Sequence, residues 1–146
     1  MRFMMIVKAS QDSEAGKMPS EELLDAMGKY NEELLKAGVL VDLSGLKPTS
    51  HGARIRYSGG KVSVIDGPFT ETKELIGGYW IINVKSLAEA IEWGKRAPNP
   101  QGEGKEAEIE IRPFVEMEDL VPSPAIDRMK ERRKQFEALK AERSGK

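Results

Sequence analysis

The chain has no cysteine and a single histidine, His51, among its 146 residues. The first absence removes disulfides, thiol nucleophiles and thiolate metal sites. The second removes a metal centre built on several histidines and any cysteine–histidine pair. A carboxylate-only magnesium site remains compatible with the composition, but no spacing favours one, so neither metal nor cofactor is expected. An excess of charge is lacking too. Twenty-three Lys and Arg stand against 24 Asp and Glu, a net charge of −1, which gives no general pull toward nucleic acid or anionic lipid. Long apolar runs are also missing. Phe3 to Val7 is five residues, against the roughly 20 that a membrane-spanning helix needs. No targeting segment is visible, so the expected compartment is the cytoplasm, with no membrane partner. Gly59-Gly60 and Gly77-Gly78 lack the strand–loop–helix context of a phosphate-binding loop.

What is present is a regular alternation of strands and helices. Phe3–Val7 is apolar at every position, the pattern of a strand covered on both faces. Ser20 can cap a helix whose first turn carries Glu21 and Glu22 at the positive end of the dipole. Leu23, Met27, Tyr30 and Leu34 then fall on one helical face, and Gly38 follows as a stop. Val39–Leu46 reads as a second strand. Ile55 and Tyr57 alternate with Arg54 and Arg56, the mark of a half-exposed strand, and Ser58-Gly59-Gly60 turns it into Val62, Val64 and Ile65. Tyr79–Val84 is a second strand apolar on nearly both faces. Ser86 with Glu89 reads as a capping box for a helix that runs to about Ala97 and stops before Pro98. Ile109 and Ile111 alternate with charge in a final, one-sided strand.

The order β-α-β-(hairpin)-β-α-β predicts an α+β domain over 1–115, a ferredoxin-like split βαβ with an inserted β-hairpin. Two helices can cover only one face of such a sheet, yet the two most apolar strands carry side chains on both. A second copy packed sheet against sheet, or the C-terminal segment, must cover the rest. The homodimer is the favoured reading. Residues 116–146 form an extension with a helix from about 124 to 142, entered at Ser123-Pro124. Asp127–Lys146 carries +4, leaving −5 on the remainder. A basic nucleic-acid or membrane arm is the sharp reading of that helix; a solvated helix docking its narrow stripe (Ile126, Met129, Phe136, Leu139) is the bland and favoured one. Its last residues, Glu142 to Lys146, are expected to fray.

Asp66 is the candidate catalytic residue. It ends a strand beside a glycine that admits a ligand and a proline that stiffens the turn, so it can serve as general base or substrate orienter. Equally, Asp-Gly-Pro is a plain turn in which the carboxylate bonds its own backbone. Glu71 and Lys73 lie in a charged stretch that is either a solvated loop or a lid supplying a ligand-binding charge. Tyr30 is a core tyrosine by default, with a hydroxyl able to reach a pocket between helix and strand. His51, among Thr, Ser and Gly, reads as an exposed loop residue.

The stretches Asp66-Gly67-Pro68-Phe69-Thr70-Glu71-Thr72-Lys73-Glu74, Gly77-Gly78-Tyr79-Trp80 and Ala88-Glu89-Ala90-Ile91-Glu92-Trp93 resemble the DGPF-motif branch of the YCII-related family. The resemblance runs from Met1 to about Phe114 and implies a dimeric α+β barrel. One relative is a dehydrochlorinase acting on a chlorinated hydroxyquinol. In the shorter branch a histidine–aspartate pair has been put forward as an active site, with the histidine in the first helix. Here Ser20–Ala37 contains no histidine, so only the aspartate side, Asp66, is matched. Members are often encoded beside alternative sigma factors, which implies a regulatory or stress-linked role. Three functions follow as expectations. The first is a cofactor-independent lyase-like enzyme for a small, aromatic or phenolic molecule, using Asp66 with Lys73 and Tyr30. The second is a small-ligand-binding or regulatory dimer, and the third an interaction module using its basic helix.

Overall fold

The computed structural model describes residues 1–145, Thr72 by its backbone alone. The first compact unit, Met1–Pro113, holds strand β1 (Arg2–Lys8), a one-turn helix α1 (Gln11–Glu14), helix α2 (Glu21–Lys36) and strand β2 (Leu40–Gly45). The hairpin β3 (Ala53–Ser58) and β4 (Lys61–Asp66) follows, then β5 (Ile76–Asn83), α3 (Leu87–Arg96) and β6 (Ile109–Pro113). The capping predicted from sequence is realised. The Ser20 hydroxyl accepts from the Leu23 amide at 3.1 Å. At the other end of α2 the amides of Gly38 and Val39 close back onto the carbonyls of Leu35 and Leu34, a Schellman-type stop. At α3 the Ser86 hydroxyl accepts from Glu89, but the Glu89 carboxylate accepts from the Lys85 amide, one residue before the reciprocal bond of a strict capping box. The short helix α1 was not anticipated. Its signal is Ser10, whose side chain and that of Ser13 cap each other's backbone amides.

Four strands form one antiparallel sheet in the order β2-β5-β1-β6. The two most apolar strands are central, because only central strands are hydrogen-bonded on both edges and covered most fully. This is an α+β arrangement consistent with a ferredoxin-like fold. The pairing sets Phe3 opposite Ile82 and Met5 between Trp80 and Ile111. Side chains alternate between faces, so these residues share one face, and α2 and α3 close over it with Tyr30, Leu34 and Ala90 in a single core cluster. Phe3, Met5, Leu34 and Ile82 are fully buried there. The opposite face presents Met4, Ile6, Tyr79 and Ile81 along its middle, flanked by Asp42 and Ser44 on one edge and Glu110 and Arg112 on the other. Ile6 is buried; Met4, Tyr79 and Ile81 are half-buried.

The hairpin departs from expectation. β3 and β4 pair only with each other, as a separate two-stranded sheet, and every one of their residues is exposed. The half-exposed strand expected from the Arg-Ile-Arg-Tyr alternation is therefore bare on both faces in the single chain. The alternation is genuine: Ile55 pairs with Val64 and Tyr57 with Val62 on one face, at 60%, 66%, 77% and 64% exposure. Nothing within the unit lies across that face to bury it. Gly59 and Gly60, both at positive φ, make the tight turn between the strands.

Residues 114–145 form the second compact unit. Helix α4 (Pro124–Ser144) begins where expected, the Ser123 hydroxyl accepting from the Ile126 amide. It extends to Ser144, past the predicted end at about 142; of the stretch expected to fray, Lys146 lies outside the described residues. Met129, Phe136 and Leu139 along the helix are exposed. No helix among the described residues is long and apolar enough to cross a membrane.

Candidate ligand cleft

The N-terminal half of α2, the end of β2 and the Gly77-Gly78 start of β5 enclose a cavity of about 340 Å3. Its walls are mainly apolar: Leu23, Leu24 and Met27 from α2, Leu43 from β2, and Trp80. Leu23, Met27 and Asn31 are four residues apart and so line one face of the helix. Asn31 is the polar member of that row. Its side-chain oxygen accepts from the Trp80 indole Nε1 at 2.7 Å. Tyr30, the neighbouring residue, meets the same indole edge-to-face with ring centroids 5.3 Å apart.

Val7, Pro19, Leu23, Gly77 and Pro100 also wall a second cavity of about 760 Å3, which carries the charged side chains, so the two form one cleft. The polar end is lined by Lys8, Lys17, Lys47 and Lys105 against Asp12 and Glu103. Lys8 pairs with Glu110 at 3.2 Å, and Lys17 and Lys105 both approach Asp12. Lys47 has no partner among the described residues. The cleft thus runs from an indole-and-leucine end to a basic end.

The candidate residues named from sequence are not brought together. Asp66 ends β4 on the separate ribbon, exposed, and its carboxylate has no hydrogen bond or ion pair among the described residues. The carboxylate thus does not bond its own backbone, although the loop itself is held by the Gly67 amide. Glu71 pairs with Arg54 at 3.7 Å, and the same guanidinium lies 3.8 Å above the Phe69 ring. Lys73 lines a third, polar cavity of about 730 Å3 with Lys8, Asp12 and Lys105. Tyr30 is buried, and its hydroxyl donates to the Trp93 carbonyl oxygen at 2.7 Å, tying α2 to α3. Burial pushes that phenol up to about 12, with Arg96 opposing the shift and Glu33 adding to it. His51 sits in a single 3-10 turn and is exposed. No group of three or more carboxylate or histidine side chains among the described residues is placed to hold a metal ion.

The Asp66–Phe69 loop is instead fastened to the wall of the cleft. Lys47 and Pro48 line its polar end, and the next residue, Thr49, is gripped from two sides. The Thr49 amide and hydroxyl both donate to the Glu14 carboxylate, while the hydroxyl oxygen accepts from the Phe69 amide at 3.0 Å. The Gly67 amide donates to the Gly52 carbonyl at 3.1 Å. Sequence reasoning missed Glu14, Thr49 and Asn31. A signal existed for Asn31, a polar residue on an otherwise apolar helical stripe. None existed for Glu14 and Thr49, 35 residues apart, whose meeting depends on the tertiary fold.

Residues 1–115 match the YCII-related domain. An uncharacterized protein of Rhizobium meliloti (strain 1021) is 32% identical over 99 residues, which cover 68% of this chain and 78% of that relative.

Proposed function

The chain belongs to the YCII-related family, and from that premise we propose that it is a homodimeric small-molecule-binding protein whose ligand occupies the cleft beneath α2. The observation that carries the reading is the gradient of the cleft, from Leu23, Met27 and Trp80 at one end to Lys47 and Lys105 at the other. Such a surface suits a ligand with an apolar body and an anionic head, such as a small aromatic carboxylic acid. The apolar cavity is of the size of a small ligand site, typically about 300–1,000 Å3. No carboxylate, lysine, arginine or histidine lines that apolar end, so binding is favoured over proton-transfer chemistry there. Titration with 4-hydroxybenzoate, followed by backbone and indole NMR, tests the assignment. Shifts at Leu23, Met27, Lys47 and the Trp80 indole support it; a saturating titration that moves none of them removes it.

Pairing of two copies is supported by the exposed Ile55, Tyr57, Val62 and Val64 face, which a soluble protein rarely leaves bare. A two-stranded ribbon alone is also marginal in water. The DGPF-motif branch is the family subdivision that the Asp66–Glu74 stretch favours, and a dimeric α+β barrel is the matching assembly.

A second reading keeps catalysis. The Asp66 carboxylate stands at a strand end with no structural partner, as a general base would before its substrate arrives. Lys73 would then be its electrostatic partner, in a cofactor-independent elimination of the dehydrochlorinase type. Asp66→Asn separates the two readings. Unchanged ligand affinity with loss of turnover favours the enzyme, and unchanged affinity with no turnover in either protein favours the binding dimer.

A further inference from the structure

The orientation of the Asn31 amide is fixed by its neighbour. An indole N–H can only donate, so the Asn31 atom 2.7 Å from Trp80 Nε1 must be the carbonyl oxygen. The NH2 group consequently points elsewhere. It has no acceptor among the described residues, and no buried side-chain nitrogen or oxygen there is left without a partner. The NH2 group is therefore accessible, on a residue that lines the cavity. Trp80 is itself held, 6% exposed, against Tyr30, whose hydroxyl is bound to Trp93. The donor is thus mounted on a buried, edge-to-face pair of aromatic rings tied to α3, the kind of pre-organised support that gives a single hydrogen bond its selectivity.

Resting on the binding reading above, we infer that Asn31 is the specificity-determining residue of the cleft, reading an acceptor oxygen on the apolar body of the ligand. The ligand class follows. It carries a flat apolar body that packs against Leu23, Met27 and Trp80, a carbonyl or ether oxygen that accepts from Asn31, and an anionic group at the far end toward Lys47. A ligand of the same shape without that oxygen leaves the amide NH2 stripped of water and unpaired. A ligand presenting a bare donor there meets a donor.

The probes are 4-acetylbenzoate and 4-isopropylbenzoate, which share size and carboxylate and differ in the one acceptor oxygen. The variants are Asn31→Asp, which keeps an oxygen for the Trp80 indole but replaces the NH2 with a second oxygen, and Asn31→Leu. Affinities are read by calorimetry, with the Trp80 indole proton followed by NMR as the check that the aromatic pair is intact. The wild-type protein should bind the acetyl compound about fivefold more tightly, the ratio one neutral hydrogen bond gives. Asn31→Asp should lose that preference while keeping its indole signal. Equal binding of the two compounds by the wild-type protein, or a preference retained in Asn31→Asp, overturns the role of Asn31 and leaves the cleft as a binding site. Failure of the wild-type protein to bind either compound overturns both.

Discussion

Gly67 lies so close to Thr49 that a β-carbon on it would come 1.8 Å from the Thr49 carbonyl oxygen and 2.6 Å from its carbonyl carbon. Both neighbours are backbone, so nothing flexible can move aside. The glycine of the Asp66–Phe69 loop is therefore required by the turn it rests on, and that turn is the one that follows the Lys47-Pro48 wall of the cleft.

Gly67→Ala should displace the loop and cost about 2–3 kcal/mol, within the range of strongly destabilising backbone substitutions. Urea unfolding measures the loss. Faster hydrogen exchange at the Phe69 amide, which donates to Thr49, should accompany it. Unaltered exchange there would mean the loop does not depend on this contact.

Thr49→Val removes the hydroxyl that joins the Glu14 carboxylate to the Phe69 amide. A loss of about 1–2 kcal/mol is expected, that of a linking hydroxyl with partners on both sides. The same urea experiment gives the value, and a loss shared equally by Glu14→Gln would confirm that the two residues act as one clamp.

Tyr30 gives a pH dependence with a defined sign. Burial pushes its phenol up to about 12 in the folded chain, against about 10 for an exposed tyrosine. Between those values the unfolded chain has released the proton and the folded one retains it, so stability falls as pH rises. The contribution is complete below about pH 10 and gone above about pH 12, up to about 2–3 kcal/mol. Tyr30→Phe should flatten the stability profile in that window, measured by urea unfolding from pH 9 to 12.

How far the sequence discloses this molecule depends on the range of the interaction. Local signals read true: Ser20 and Ser123 cap the helices they were expected to cap, and Gly38 ends α2. The central place of Phe3–Val7 and Tyr79–Val84 in the sheet followed from their greasiness, because central strands are the ones covered most fully. Position in space did not follow. Asp66 and Tyr30 were grouped as one site by their chemistry, yet the topology puts one on a ribbon and the other beneath the main sheet. Asn31 carried a signal, but a polar residue in an apolar stripe looks the same whether it faces water or a cavity. The fully exposed ribbon was illegible for a different reason: alternation says which residues share a face, not what lies opposite that face.

Ile55→Asp together with Val64→Lys places charge on the apolar face of the ribbon without touching the core, since both positions are already exposed. Sedimentation at micromolar concentration should then show a dimer for the wild-type protein and a monomer for the variant. A wild-type monomer at that concentration contradicts the assembly, and a variant that stays dimeric contradicts the role of this face.

The most direct test of the cleft is a crystal soaked with 4-hydroxybenzoate. The ring should appear between Leu23, Met27 and Trp80, its carboxylate directed toward Lys47. Density beside Asp66 with the cleft empty would contradict this placement and restore the ribbon's aspartate as the residue around which the ligand is held.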